Sequence, residues 1–161
     1  MRNFLLFGSL IVLFWACSST SAETNENVTK FSDEHGWLLD YPTALNAAKE
    51  QNKHVLLLFT GSDWCRPCKW LESDVFNSDQ FKSYAKDNLV LVKADFPRRR
   101  GNELSPEQTR KNRELSNQFG IRSFPTVYLL DSSGKKIKVF KGYGRSGVDS
   151  YLGKIKAAIG G

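Results

Sequence analysis

Cysteine is scarce in this chain: three residues in 161, at Cys17, Cys65 and Cys68. That is too few for a disulfide scaffold, and a chain of this length buries enough apolar surface not to need one. Histidine is scarcer still, with only His35 and His54. A structural zinc site takes four ligands, usually two cysteine pairs or one pair plus histidines, so no metal is expected. His54, at the entry to an expected strand, reads more simply as a turn or strand-edge residue. Neither sign of charge dominates: 23 Lys and Arg against 17 Asp and Glu leave +6. That excess suits an acidic partner or an anionic membrane surface, but without interleaved aromatics it excludes a nucleic-acid signature. No internal repeat is visible, and no apolar run reaches the roughly 20 residues of a membrane span. What remains, 40% hydrophobic, 12% aromatic and 25% charged, is the make-up of one globular domain.

The first 22 residues are a separate matter. Arg2 gives a short positive start, and Phe4 to Ala16 is apolar apart from Gly8 and Ser9. Cys17-Ser-Ser-Thr-Ser-Ala22 then supplies small residues of the cleavage type. Polarity takes over from Ser18 to Lys30, so no partner element follows for a buried N-terminal helix to pack on. Residues 1–22 are therefore expected to be a secretory signal, placing the protein in the periplasm or on the extracytoplasmic side of a membrane. Cleavage after Thr20-Ser21-Ala22 would release a soluble chain beginning at Glu23. Alternatively, Phe14-Trp15-Ala16-Cys17 resembles a loose bacterial lipobox, with residues bulkier than usual before Ala16. Cys17 would then carry a lipid anchor. Residues 23–40 read as a tether and N-terminal extension, and 41–161 as the domain. Either cleavage leaves Cys65 and Cys68 as the free thiols.

From Tyr41 helix-like and strand-like segments alternate. Ala44, Leu45, Ala47 and Ala48 follow Pro42, which a first helical turn tolerates. Val55 to Phe59 is a continuous apolar run, as expected for a strand covered on both faces, and Leu89 to Ala94 is a second. A helix should begin at the cysteines, with Cys68, Leu71 and Val75 at near-helical spacing; Ser78 to Asn88 is a short helix with Phe81 and Ala85 inward. Ser105-Pro106-Glu107-Gln108 predicts a helix start with Gln108 closing a capping box, and Gly120 ends that helix after Phe119. Thr126–Leu130 and Ile137–Phe140 flank Asp131-Ser-Ser-Gly134 as a β-hairpin, and a last helix runs from about Val148 to Ile159. The class this implies is α/β, a mixed sheet with helices on both faces.

Within Gly61-Ser-Asp-Trp-Cys65-Arg-Pro-Cys68-Lys-Trp70, the two cysteines could be half a metal site, a structural staple or a redox pair. The metal reading lacks ligands, and a loop this short removes little unfolded-chain entropy. Redox chemistry suits the placement. Cys65 at a helix start meets unpaired N–H groups and the positive end of the helix dipole, with Arg66 and Lys69 nearby, all of which favour thiolate. Cys68, one turn deeper, would be shielded. An exposed attacking thiol and a second thiol that resolves the mixed disulfide are what exchange requires.

Trp64-Cys65-Arg66-Pro67-Cys68-Lys69 resembles the W-C-x-P-C-K motif of the thioredoxin family. Gly120-Ile-Arg-Ser-Phe124-Pro125-Thr126 resembles its second landmark, a turn with a cis-proline opposite the cysteines. Asp131-Ser-Ser-Gly134-Lys135 is similar to the hairpin that follows, so the likeness extends from about Tyr41 to Ile159. Phe59-Thr-Gly-Ser-Asp-Trp64 is similar to the lead-in of exported bacterial members. The resemblance implies a thioredoxin fold with a central mixed sheet, and a Cys65–Cys68 redox-active disulfide with Cys65 as nucleophile and Cys68 as resolving thiol. It implies Trp64 as a platform, with Arg66 and Pro67 between the cysteines, Pro125 as the cis-proline, and Phe124 offering its backbone to a substrate strand. Gly142 and Gly144 match a flexible rim loop. No cofactor beyond the dithiol is expected. The family usually carries a buried acid on the strand before the motif, and Val55–Phe59 has none. Proton transfer would then run through water or through Asp63, expected in an exposed loop.

The resemblance points to an extracytoplasmic thiol–disulfide oxidoreductase, most simply a reductase of exported proteins fed by a membrane or soluble thiol electron donor and working as a monomer. An oxidase or isomerase on the same fold is the alternative, and a peptide- or metal-binding module without turnover the more distant one. Arg98-Arg-Arg100 with Arg110, Lys111 and Arg113 reads as a solvated face, or as a dock for an acidic partner or anionic lipid.

Overall fold

Strand β1 (His54–Thr60) is apolar at every position between its ends, because both of its faces are covered. The computed structural model describes residues 32–33 and 35–160, so the signal and the lipidation reading at Cys17 lie outside the described residues. β1 pairs in parallel with β2 (Leu89–Asp95) and antiparallel with β3 (Thr126–Leu130). β3 carries the hairpin partner β4 (Lys136–Lys141), giving the order β2-β1-β3-β4. A parallel pair needs a long crossover. Here it consists of α2 (Arg66–Leu71), a π-helical stretch Glu72–Phe76, and α3 (Asp79–Asn88). Helix α1 (Tyr41–Gln51) precedes β1, α4 (Pro106–Phe119) links β2 to β3, and α5 (Gly147–Ile159) follows the hairpin. This is the expected α/β architecture.

Strand alternation divides the core in two. Val55, Leu57 and Phe59 meet Ala44, Ala47, Ala48 and Phe119 from α1 and α4. Leu56 and Leu58 meet Leu71, Val75, Phe81, Leu152 and Ile155 from the helices on the other face. Each such leucine contributes about 1.5–3 kcal/mol of transfer free energy when buried. The inward spacing Cys68, Leu71, Val75 is borne out, although the backbone changes from α to π geometry between the last two. Asp40, Ser78 and Ser105 cap α1, α3 and α4, each accepting an N–H three residues on, and Gly120 ends α4 at φ 65°.

Two details depart from expectation. Gln108 is not turned back on its own cap: its amide donates to the Leu39 carbonyl and to Asn112 Oδ1, both at 2.8 Å, because α4 lies against the segment before α1. That segment is also more than a tether. Leu38 donates to the Leu91 carbonyl at 2.9 Å and accepts from Lys93 at 2.8 Å, extending the sheet beyond β2, while Trp37 packs on Phe76 with centroids 5.1 Å apart.

Candidate active site

The cysteine loop leaves the end of β1 at Gly61. A Cβ there would sit 2.5 Å from Trp64 Cε2, so glycine is what allows the indole to lie against the backbone. The ring is then fixed from several directions. Its Nε1 donates to the Phe96 carbonyl at 2.7 Å, Phe124 meets it edge-on at 5.8 Å, and the Arg98 guanidinium lies over it at 3.6 Å. Cys65 follows as the N-cap of α2. Its amide donates to the Gly61 carbonyl at 2.8 Å, and its sulfur accepts the Cys68 N–H at 3.3 Å. The two sulfurs are bonded at 2.08 Å. The residue that starts the helix thus receives one of its unpaired N–H groups on sulfur, which favours negative charge there.

Exposure does not separate the two thiols as expected. Cys65 is 5% exposed and Cys68 4%, so both ends of the disulfide are buried. What separates them is backbone: Cys65 caps the helix, and Cys68 lies inside its first turn. The nearby cations are also committed. Lys69 Nζ donates to the Asp63 carbonyl at 2.9 Å, and the Arg66 guanidinium lies over Trp70 at 5.0 Å. Arg145 approaches the same ring at 5.2 Å and pairs with Asp74 at 3.3 Å.

The second landmark reaches the same end of the sheet through register. Thr126 is paired with Phe59, so Phe124 and Pro125 sit just beyond the point where β1 gives way to the cysteine loop. The Phe124–Pro125 peptide bond is cis, as expected. The Pro125 carbonyl accepts the Gly142 N–H at 2.8 Å, which ties the proline turn to the glycine-containing loop after β4, where Gly142 has φ 70°. Pro67 is half-buried at the helix start, and Arg66 is exposed beside it.

Asp63 is not an exposed loop acid; it is 8% exposed, because the loop after β2 folds over it. Its carboxylate accepts the backbone N–H groups of Arg98 at 3.1 Å and Arg99 at 2.8 Å, and the Asn102 amide at 3.2 Å. Burial pushes its pKa up, but the N–H groups of Arg99 and Arg98, the Asn102 amide and the Arg99 charge outweigh that and hold it below the ordinary carboxylate value. An acid held ionised in this way is a poor proton carrier for Cys68 and a good anchor for a loop. Asp95 also ties down the cysteine loop, from the end of β2, accepting the Ser62 N–H at 2.9 Å and its hydroxyl at 2.5 Å. Neither anchor could be read from sequence, since the donors, backbone and side-chain alike, lie far along the chain. Among the described residues, no three His, Cys, Asp or Glu side chains cluster to hold a metal ion, and no helix is long and apolar enough to cross a membrane.

A cysteine pair at the start of the helix that follows a central strand, facing a cis-proline turn on the adjoining antiparallel strand, defines a dithiol–disulfide exchange protein on a thioredoxin fold. Residues 41–152 match the family described as Thioredoxin-like domain, and the chain belongs to that family. It is 31% identical to the disulfide bond reductase DsbH of Chlamydia pneumoniae over 155 residues, which covers 94% of this chain and 92% of that protein. The thiol-disulfide oxidoreductase ResA of Bacillus subtilis is 24% identical, with 96% and 94% covered. A solved structure titled DsbH Oxidoreductase superposes with a TM-score of 0.70 at 33% identity, covering 80% of this chain and 87% of that one. The chain is a thiol–disulfide oxidoreductase of this family, with Cys65 and Cys68 at bonding distance.

Proposed function

We propose that this protein is exported and reduces disulfides in other exported proteins, cycling Cys65 and Cys68 between dithiol and disulfide. The observation that carries the reading is Cys65 as helix N-cap with its sulfur on the Cys68 N–H. In the dithiol form the Cys65 thiolate attacks one sulfur of the substrate disulfide; that S–S bond breaks, and the departing thiolate takes a proton. Cys68, losing its proton, then attacks Cys65 in the mixed disulfide and releases the second substrate thiol. Two electrons and two protons pass to the substrate, and the enzyme is left as the disulfide. Trp64, which precedes Cys65, packs edge-on against Phe124, and a donor of thiol electrons must restore the dithiol.

The reductive direction is supported by Pro67 before the second cysteine and by the absence of histidine between the two. A histidine there could stabilise the thiolate, and the more the reduced form is stabilised, the stronger the oxidant. Arg66 acts the other way through its fixed charge, but its guanidinium is drawn onto Trp70. The name of the Chlamydia pneumoniae relative points in the same direction. Export is supported by the signal-like residues 1–22.

The test is the equilibrium potential against glutathione, read together with the redox state of the pair in living cells. A value near about −270 mV with the pair mostly reduced fits a reductase, whereas one near about −120 mV with the pair held oxidised makes this an oxidase. Exchange with a model disulfide should vanish in Cys65→Ser.

A further inference from the structure

An open groove of about 410 Å³ adjoins Trp64, between the loop after β2 and α4. Trp64, Phe96, Leu104 and Phe124 make its apolar part, and Arg98 and Arg113 bring positive charge from two separate elements. The carboxylates in its wall are engaged by the fold: Glu103 accepts the Gly101 N–H at 2.7 Å, and Asp95 accepts from Ser62 and Phe96. Among the described residues neither guanidinium is in an ion pair, whereas Arg110 pairs with Glu114 at 2.8 Å and Lys111 with Asp40 and Glu107 at 3.2 Å. The basic stretch of the sequence is thus divided: Arg98 and Arg113 face the groove beside Trp64, and Arg99 and Arg100 lie on the same loop outside it. Arg98 is also preset: Asp63 holds its backbone N–H, and Trp64 holds its guanidinium. Less side-chain freedom is then lost when an anion arrives.

We infer that this groove holds an acidic segment of the disulfide partner next to the cysteine under attack. A carboxylate would lie against Arg98 and Arg113, and an apolar side chain on Phe96 and Phe124. The inference rests on the oxidoreductase reading above. Both arginines are exposed, so each pair is weak, and the two together are worth about fivefold in kcat/KM at low salt. Most of that should be in association rate, and should shrink as salt screens it.

The test uses the reduced protein and three disulfide-linked peptide dimers that differ only beside the cysteine, carrying Glu, Gln or Lys. The Glu peptide should be reduced about fivefold faster than the Lys peptide at low salt. In the double variant Arg98→Gln, Arg113→Gln that ratio should fall to near one, while Arg98→Lys keeps it. Arg100→Gln removes a charge from the same loop outside the groove and should leave the ratio standing. Equal rates for Glu and Lys peptides, a ratio that survives the double variant, or one lost equally in Arg100→Gln would overturn the groove as the recognition site. If the Gln peptide is reduced in any of these cases, the oxidoreductase reading survives. If no peptide is reduced, that reading fails and takes the inference with it.

Discussion

Replacing Gly61 by alanine should destabilise the protein, and the cause should be Trp64 alone. The added Cβ would stand 2.5, 2.6 and 2.7 Å from Cε2, Nε1 and Cζ2 of the indole, where ordinary carbon contacts begin at about 3.5 Å. The ring must retreat by about 1 Å, and it has no slack, being bonded to the Phe96 carbonyl at 2.7 Å and packed on Phe124. Losing that hydrogen bond costs about 1 kcal/mol, and loosening the aromatic pair about 0.5–1.5 kcal/mol. Stiffening the unfolded chain returns about 0.4–1 kcal/mol, because Gly61 does not need a positive φ that alanine would resist. The net is a loss of about 1–2 kcal/mol, or about 5 °C in Tm for a domain of this size. In a Trp64→Ala background the same methyl meets no ring, so only the unfolded-chain term survives and the substitution should stabilise by about 0.5 kcal/mol. Urea midpoints of the four proteins measure both effects. If Gly61→Ala is neutral with Trp64 present, or costs the same without it, the reasoning is wrong.

Asp63 contributes stability that is in place above its unfolded value of about 3.9 and fades as pH falls through its lower folded value. Asp63→Asn should therefore lower stability at neutral pH and flatten the acid limb of the pH–stability curve; an unchanged acid slope would refute the anchoring role. In the reduced protein Cys65 should be alkylated before Cys68 at mildly acidic pH, as read by peptide mass after a short pulse, and equal labelling would reverse or erase the assigned roles. Phe59→Ala, which empties a fully buried site against Phe119 and Tyr128, should cost about 3–5 kcal/mol in chemical denaturation, and a loss under about 1 kcal/mol would contradict its core position. Intact mass of the exported protein should begin at Glu23 or at an acylated Cys17, and retention of residues 1–16 would remove the signal reading.

The elements were legible wherever a single local rule dominated. Val55–Phe59 read as a strand covered on both faces, Ser105-Pro106 read as a helix start, and Gly120 sits at the φ of 65° that closes one. The cysteine pair and the proline turn were legible as motifs, and sheet register then brings them together through Phe59 and Thr126. What stayed hidden depends on backbone groups donated from far along the chain. Leu38 joins the sheet through Leu91 and Lys93, and nothing in Trp37-Leu38 has the period of a strand. The change to π geometry after Leu71 leaves the spacing of buried residues intact, so periodicity passes over it. Gln108 fits a capping box by spacing and is turned elsewhere by a contact with Leu39.

Charge near the cysteines shows the same limit more sharply, and it bears on mechanism. Along the sequence, Arg66 and Lys69 lie beside Cys65, and the arginines after β2 belong to a separate basic stretch. In space Lys69 reaches the Asp63 carbonyl, Arg66 rests on Trp70, and Arg98 rests on Trp64. Each is held by a partner of its own, and none is paired with the sulfur. The group that does reach Cys65 Sγ is the Cys68 N–H, a backbone donor fixed by the helix itself. Thiolate stabilisation should therefore rest mainly on α2, and the side-chain cations should act mainly on what approaches from outside. Neutralising Arg98 should then change which disulfides react more than it changes the acidity of Cys65, so selectivity and nucleophilicity can vary independently in this fold.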